Sequence, residues 1–289
     1  MGDGSSSPAE ESAGAGGGAA RGYVEGRDLR LDYRFADGDA QRYPEMAQAL
    51  VKDRVGVIVV FSDPAARAAQ RETQTIPIIA VLGDPIASGL ITSLAKPGGN
   101  LTGISMFGSE LAAKRLEILT EILPAAQRFG VLVDRANVPS ERLQAVEDGA
   151  RVLGVEVQTV GVRSPADFAA AFDSPRAGGA EAVSILGSSL LFHYRSELGA
   201  LAMASRLPAI CDLPEMAAAG CLASYGPSWR ELSDDLAELT EQMLKGASPA
   251  DTPARQPTKF ELVVKPKTAK KLGLTIPPSI LARADEVIE

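Results

Sequence analysis

The residues able to do chemistry in this chain are small and polar, and they recur where apolar runs end. Ser62 and Asp63 follow "VGVIVVF", and Gly83 and Asp84 close "IPIIAVLGD". Asp134 ends "RFGVLVD", Gly187 and Ser188 end "EAVSILGS", and Asp212 follows "PAIC". In an open parallel sheet, ligands sit beyond the carboxyl ends of the strands, so these tips are the positions to read first. Hydroxyls, carboxylates and the amides of a following helix can hold a ligand by hydrogen bonds. Taken singly, each is equally a common turn or N-cap residue. Their recurrence at successive tips suits a wet cleft. Asn137 in "VDRANVPS", with Ser224 and Tyr225 in "ASYGPS", completes the candidate set.

Enzyme chemistry has little footing. The chain has no GxxxxGK[ST] phosphate loop and no GxSxG elbow. The glycines of "GAGGGA" lie in the N-terminal tail, not after a strand. His193, the single histidine, stands between Phe192 and Tyr194 with no evident nucleophile to activate and reads as a packed or surface helix residue. Scattered carboxylates include no spacing that singles out an acid/base pair. Cys211 and Cys221 are too few for a disulfide scaffold. They flank a compact helical turn, and two free buried thiols are expected, with pairing the alternative for an exported chain. No zinc ligand cluster is present, and neither metal nor cofactor is expected. Trp229 either packs at a hinge or caps a helix.

The 289 residues suggest about two domains. Apolar residues make up 45% of the chain, enough for a real core. A formal charge of −8 argues against a nucleic-acid partner, whose phosphates need clustered Lys and Arg. No apolar run approaches the ~20 residues that span a bilayer. The first 21 residues, rich in Gly, Ala and Ser, read as a disordered tail with no export signal visible.

Strand and helix signals then alternate. "LRLDYRFA" shows period-two alternation on Leu29, Leu31, Tyr33 and Phe35. Tyr43, Met46, Ala47, Leu50 and Val51 mark an amphipathic helix. Val55–Phe61 reads as a parallel strand covered on both faces. A helix follows, capped by Ser62 or Asp63, with Pro64 at its first position. "IPIIAVL" is a buried strand, "PIASGLITSLA" a weaker helix and "NLTGIS" a short strand. The same rhythm runs on through "RFGVLVD", "VEVQTV", "EAVSILG", "PAIC", "CLASYG" and "KFELVVK" as strands, with helices between. Such βα alternation implies α/β architecture with doubly wound parallel sheets, and there are too many strands for one compact sheet.

Longer stretches add a resemblance. "GYVEGRDLRLDYRFADG", "GDPIASGLITSLAKPGGNLTGIS", "ELAAKRLEILTEILP", "ASYGPS" and "PTKFELVVKPKTAKKLGLTIPPSILARADEVIE" stand in that order. From Gly22 onward the chain resembles the ABC transporter substrate-binding proteins of the tryptophan/tyrosine type. The resemblance implies a periplasmic-binding-protein fold of type I. Lobe 1 would comprise residues 22–104 and 226–256, and lobe 2 residues 105–223 and 257–289. The lobes would be joined by crossings near Thr102–Ser105, Ser224–Pro227 and Gln256–Phe260. It implies a non-enzymatic protein that traps a small, amino-acid-like solute by hinge closure and hands it to a membrane permease driven by an ATPase. The implied compartment is the periplasm or cell envelope. Relative to the family pattern, the chain enters at "RGYVEG", so lobe 1 is expected to lack its first strand and helix, as from a truncated or mis-assigned start. The alternatives are a ligand-sensing module for a signalling partner, an enzyme on a similar scaffold, or a non-binding copy.

Overall fold

Neighbouring parallel strands cannot be joined by a tight hairpin, so each return needs a crossover, and here most crossovers are helices. The computed structural model describes residues 23–288. The expectations of a disordered tail and of a missing first strand concern residues outside that range. The described chain forms two units, residues up to Met106 with Ser228–Pro257, and Phe107–Pro227 with the residues from Thr258 on. The chain therefore passes between units after Met106, after Pro227 and after Pro257.

Unit 1 is built from helix α1 (Tyr43–Lys52), strand β1 (Ile58–Val60), helix α2 (Asp63–Glu72), and strands β2 (Ile78–Leu82) and β3 (Leu101–Ser105). The strands pair in parallel in the order β1-β2-β3. Every residue of β2 and β3 is buried. One face, with Ile58, Ile78, Ala80 and Leu82, packs on Ala47 of α1 and Ala66 and Ala69 of α2. The other face, Ile79, Val81 and Ile104, packs on Leu232, Leu236, Leu239 and Met243 of a long helix that returns to this unit later in the chain.

The "PGGN-LTG" motif of unit 1 is structural. Asn100 is buried, and its Nδ2 donates to the carbonyls of Thr73 and Ile76 at 3.0 and 2.9 Å, pinning the turn before β3 to the turn before β2. Gly103 lies so close to β2 that a Cβ there would sit 1.9 Å from the Ala80 carbonyl oxygen. Thr102 Oγ1 donates to the Thr252 carbonyl at 2.8 Å, and the Ser105 amide donates to the Arg255 carbonyl at 2.9 Å.

Unit 2 continues with α3 (Gly108–Ile122), β4 (Arg128–Asp134), α4 (Ser140–Leu153), β5 (Glu156–Val162), α5 (Phe168–Ala177), β6 (Ala182–Ile185), α6 (Ser189–His193), α7 (Arg195–Ala204), β7 (Ala209–Cys211), α8 (Pro214–Ala219) and β8 (Ala223–Pro227). The chain then lends α9 (Trp229–Leu244) to unit 1 and returns as β9 (Phe260–Val264), α10 (Pro266–Leu272), α11 (Pro278–Arg283) and β10 (Glu286–Val287). The seven strands lie in the order β10-β9-β8-β7-β6-β4-β5, with β9 antiparallel to β8 and the other pairs parallel. One face buries Leu116, Ile118, Leu119, Val146 and Ile280 against Val131, Val133 and Ile210. The other buries Phe168, Phe172, Leu191 and Leu198 against Leu132, Val183 and Ile185.

Four expectations need correction. "LRLDYRFA" forms no strand: it is irregular backbone, and only Leu29 at its start makes a bridge, to Glu25. Alternation supplies a face but no ladder partner, and a strand needs both. "PIASGLITSLA" is a series of turns, not a helix. Gly89 takes φ +67°, and the hydroxyls of Thr92 and Ser93 bond locally to the Lys96 carbonyl, competing with helical pairing. β1 is not covered on both faces: among the described residues it is an edge strand, and Val59 is 40% exposed. Cys211 and Cys221 are not free thiols but form a disulfide.

Ser62 settles its alternative, being the N-cap of α2 with Pro64 behind it. Ser164 caps the turn before α5 in a reciprocal box with Asp167. Backbone amides of Arg163 and Ser164 hold the Asp167 carboxyl below its ordinary value. Its stabilising effect is therefore present above about pH 4, the unfolded value, and fades as pH falls through the depressed folded value. Asp167→Ala is expected to lower the melting temperature at pH 7 and to make little difference near pH 2, as circular-dichroism melts at the two pH values would show.

The disulfide spans a sequence separation of 10 and brackets α8. Loop-closure entropy for a ring of that size is worth roughly 2–3 kcal/mol. The double variant Cys211→Ala/Cys221→Ala should lose about that much in urea denaturation. A loss near zero would show that packing alone holds the β7–β8 connection.

Candidate functional site

Because the strands of unit 1 and strands β4 to β8 of unit 2 are parallel within each sheet, each unit gathers its strand tips on one edge. In unit 1 that edge carries Phe61, Ser62 and Asp63 after β1 and Gly83 and Asp84 after β2. The Ser62 side chain accepts from the Ala65 amide at 3.4 Å, so its hydroxyl is engaged in capping. Asp63 lies in the first turn of α2, where a carboxylate complements the helix dipole. Gly83 and Asp84 start the run of turns that replaces the expected helix, and the Asp84 carbonyl accepts from Ser88 N at 2.9 Å. Trp229, the first residue of α9, meets Phe61 with ring centroids 6.4 Å apart and planes tilted by 32°. Phe61 is 40% exposed, so this edge presents an aromatic surface beside the Gly83-Asp84 turn.

In unit 2 the edge gathers Asp134, Asn137, Gly187, Ser188 and Asp212 from the ends of β4, β6 and β7, with Ser224 and Tyr225 inside β8 beside the end of β7. They differ in what they can still do. Asp134 is buried and braces its own loop, with Oδ1 accepting from the Ala136 amide and Oδ2 from Asn137 Nδ2. Ser188 caps α6 by accepting from the Leu191 amide at 3.2 Å. By contrast, Asp212 Oδ1, Asn137 Oδ1 and Ser224 Oγ are buried with no hydrogen-bond partner among the described residues. Buried polar atoms without partners carry a desolvation penalty and mark positions where a ligand or water completes the set.

Two arginines were not among the residues expected here. Arg115 on α3 is 4% exposed, and its Nε donates to the Tyr225 carbonyl at 2.7 Å. Burial lowers its pKa to about 10, the Asp212 carboxylate opposing that shift and the Arg142 guanidinium adding to it. Arg142, in the first turn of α4, lies over Gly108 and reaches the Gly187 carbonyl with NH1 at 3.4 Å. Both had a sequence signal. Arg115 falls on the buried stripe of α3, four residues from both Leu111 and Leu119. A cation in the first turn of a helix, as at Arg142, opposes the helix dipole.

Glycines hold this cluster together. A Cβ on Gly187 would lie 1.6 Å from Asp212 Oδ2, and one on Gly226 would lie 2.1 Å from the Asp212 carbonyl oxygen. The Asp212 carboxylate thus occupies the space a side chain at position 187 would fill. Three aromatic rings stand nearby in the same unit: Phe260 meets Phe107 at 5.9 Å and Tyr225 at 6.2 Å. Phe107 holds φ +52°, a left-handed conformation uncommon for a bulky residue. His193 ends α6, exposed, with its ring on Tyr194 at 4.7 Å. Among the described residues, no group of His, Cys, Asp and Glu could hold a metal ion, and no helix is long and apolar enough to cross a membrane.

The family model for ABC transporter substrate binding proteins matches residues 12–288. A tyrosine-binding protein of Clostridioides difficile is 28% identical over 256 residues, 88% of this chain and 73% of that one. Among solved structures, an ABC domain from Streptococcus pneumoniae in complex with L-Trp superposes with a TM-score of 0.89 at 27% identity, covering 98% of this chain and 96% of that one. A conserved domain protein of Vibrio cholerae gives the same TM-score at 24% identity, covering 97% and 94%, and shares the fold.

Gly187→Ala is expected to displace the Asp212 carboxylate. If the edge of unit 2 is a binding surface, the variant should lose solute affinity at least tenfold while its far-ultraviolet spectrum is unchanged, as titration calorimetry and circular dichroism would report.

Proposed function

The chain belongs to the ABC transporter substrate-binding protein family, and from that premise we propose that it captures a small aromatic solute, foremost an aromatic α-amino acid. The observation that carries the reading is the Phe61–Trp229 ring pair at the tip edge of unit 1, in which Phe61 is exposed and Trp229 half-buried. Ring stacking on such a pair contributes about 0.5–1.5 kcal/mol beyond area burial and favours flat, apolar ligands. The tyrosine-binding relative and the L-Trp complex support the same ligand class. The binding residues proposed are Phe61, Gly83, Asp84 and Trp229 of unit 1, with Asn137, Gly187, Asp212, Ser224 and Tyr225 of unit 2. Ser62, Asp63, Asp134 and Ser188 shape the loops that present them.

Substrate-binding proteins of this family take up small solutes and work with a permease and an ATPase, and they typically act outside the cytoplasm. We assign the chain to that place in an importer, and the Cys211–Cys221 disulfide supports an oxidising compartment. The output is a change of conformation, with no bond made or broken. Solute binding shifts the population toward a closed form that the permease reads, and the three chain passages after Met106, Pro227 and Pro257 are the segments able to act as hinges.

Trp229 is the only tryptophan in the chain, so its emission reports on unit 1 directly when the ligand lacks indole. L-Tyr and L-Phe are expected to change that emission saturably. At a concentration of about 100 Kd they should stabilise the protein by roughly 2.7 kcal/mol in thermal unfolding. Trp229→Ala should weaken binding about tenfold. Absence of any emission or melting response to the three aromatic amino acids at millimolar concentration would sink the reading.

A further inference from the structure

A buried guanidinium with most of its donors unused is costly, and Arg115 is in that position. It offers five N–H donors. It is 4% exposed, and the hydrogen bond it makes among the described residues is the single one from Nε to the Tyr225 carbonyl. The charges that reach it are Asp212, which favours its cationic form, and a second guanidinium, Arg142, which opposes it. No ion pair within 4.0 Å joins Arg115 to Asp212 among the described residues. The carboxylate therefore attracts it through space and leaves the guanidinium's far end unoccupied. Asp134, a further acid at this edge, has both oxygens committed to its own loop.

We propose that Arg115 is the carboxylate anchor of the solute site, its terminal guanidinium nitrogens receiving the acid group of the ligand and so selecting α-carboxylates over amines of the same ring. This rests on the reading of the chain as a binder of aromatic solutes and adds the residue that sets charge selectivity. A ligand carboxylate would supply what Arg115 lacks: acceptors in the bidentate geometry that matches a guanidinium. Nε stays on the Tyr225 carbonyl, which fixes the direction in which the fork points. Asp212 has a distinct role, as a through-space counter-charge that favours the cationic form of the buried Arg115.

The test compares Kd values by calorimetry for L-Trp and for tryptamine, which lacks the carboxylate, and for L-Tyr and tyramine likewise. The full chain is used, with folding checked by circular-dichroism melts. For the unaltered protein the amine should bind about 100-fold more weakly than the amino acid, as expected for loss of a charge-assisted pair. In Arg115→Gln that ratio should collapse toward about 1, mainly through weaker binding of the amino acid. Arg115→Lys should retain an intermediate ratio, and it serves as the test if the Gln variant fails to fold. If Arg115→Gln, or Arg115→Lys in its stead, weakens acid and amine equally, Arg115 is only a clamp on the Tyr225 carbonyl and the proposal is overturned. If L-Trp and L-Tyr bind but the unaltered protein does not discriminate against the amines, the proposal also falls while the function stands. If neither amino acid binds, the proposed function fails and takes this inference with it.

Discussion

The parallel ladder is the constraint from which the rest follows. Strands that all run one way, joined by crossovers, bring every forward tip to the same edge of the sheet. In unit 1 this places Phe61 and Gly83-Asp84 side by side, although more than 20 residues separate them in the chain. In unit 2 it collects side chains from the ends of β4, β6 and β7 and from β8 beside them. Among the described residues the one antiparallel strand pairing, β8 with β9, comes where the chain has crossed to the other unit and back, so there the ladder breaks direction only at a passage between units. Close approach of the strands is in turn secured by residues that look like a ligand motif in the sequence. Gly103 admits the Ala80 carbonyl, and Asn100 replaces the missing turn-to-turn hydrogen bonds.

Much of this was legible from residue patterns. Apart from the expected helix at Pro85–Ala95, the helix and strand alternation from Tyr43 onward reappears as elements, as do the cap at Ser62, the stripe of Leu232, Leu236, Leu239 and Met243, and the seven-residue run Arg128–Asp134. Those signals are local, because periodicity and capping are fixed within a few residues of the place where they act. What stayed hidden depends on partners far along the chain. The segment Leu29–Phe35 has the alternation of a strand and becomes none, since no strand among the described residues offers it a ladder. Val59 has a buried strand's composition and, among the same residues, lies on an edge. Cys211 and Cys221 gave no reason of spacing alone to pair. Their thiols meet because β7 and β8 are neighbours in the sheet and Cys221 lies two residues before β8.

The tips were the easiest part of the site to find and the least discriminating. Several tip residues spend their polar groups on their own loops: Ser62 and Ser188 on helix amides, Asp134 on Ala136 and Asn137. The residues that carry charge inward come from helices, where Lys and Arg usually mean a solvated face. Arg115 is the exception because it sits on the apolar stripe of α3 among Leu111, Leu116 and Leu119. A cation held there has lost most of its water, so its remaining donors matter more than those of any surface arginine. That is why a single residue on the wrong side of an amphipathic helix says more about ligand chemistry than five acidic or hydroxylic tips.

The disulfide bears on the same point. Cys211 is the last residue of β7 and Asp212 is the next, so the covalent link to Cys221 ends where the carboxylate begins. Both sulfurs lie in the apolar layer beneath α7 and α8, on the face of the sheet away from Arg115. Asp212 is also wedged by contact, with Gly187 on one side of its carboxylate and Gly226 against its carbonyl. A carboxylate positioned by a covalent staple and by glycine gaps needs no ion pair to hold its place. It can therefore act on Arg115 through space while leaving the guanidinium's far end unoccupied, an arrangement that a direct salt bridge between the two would have closed off.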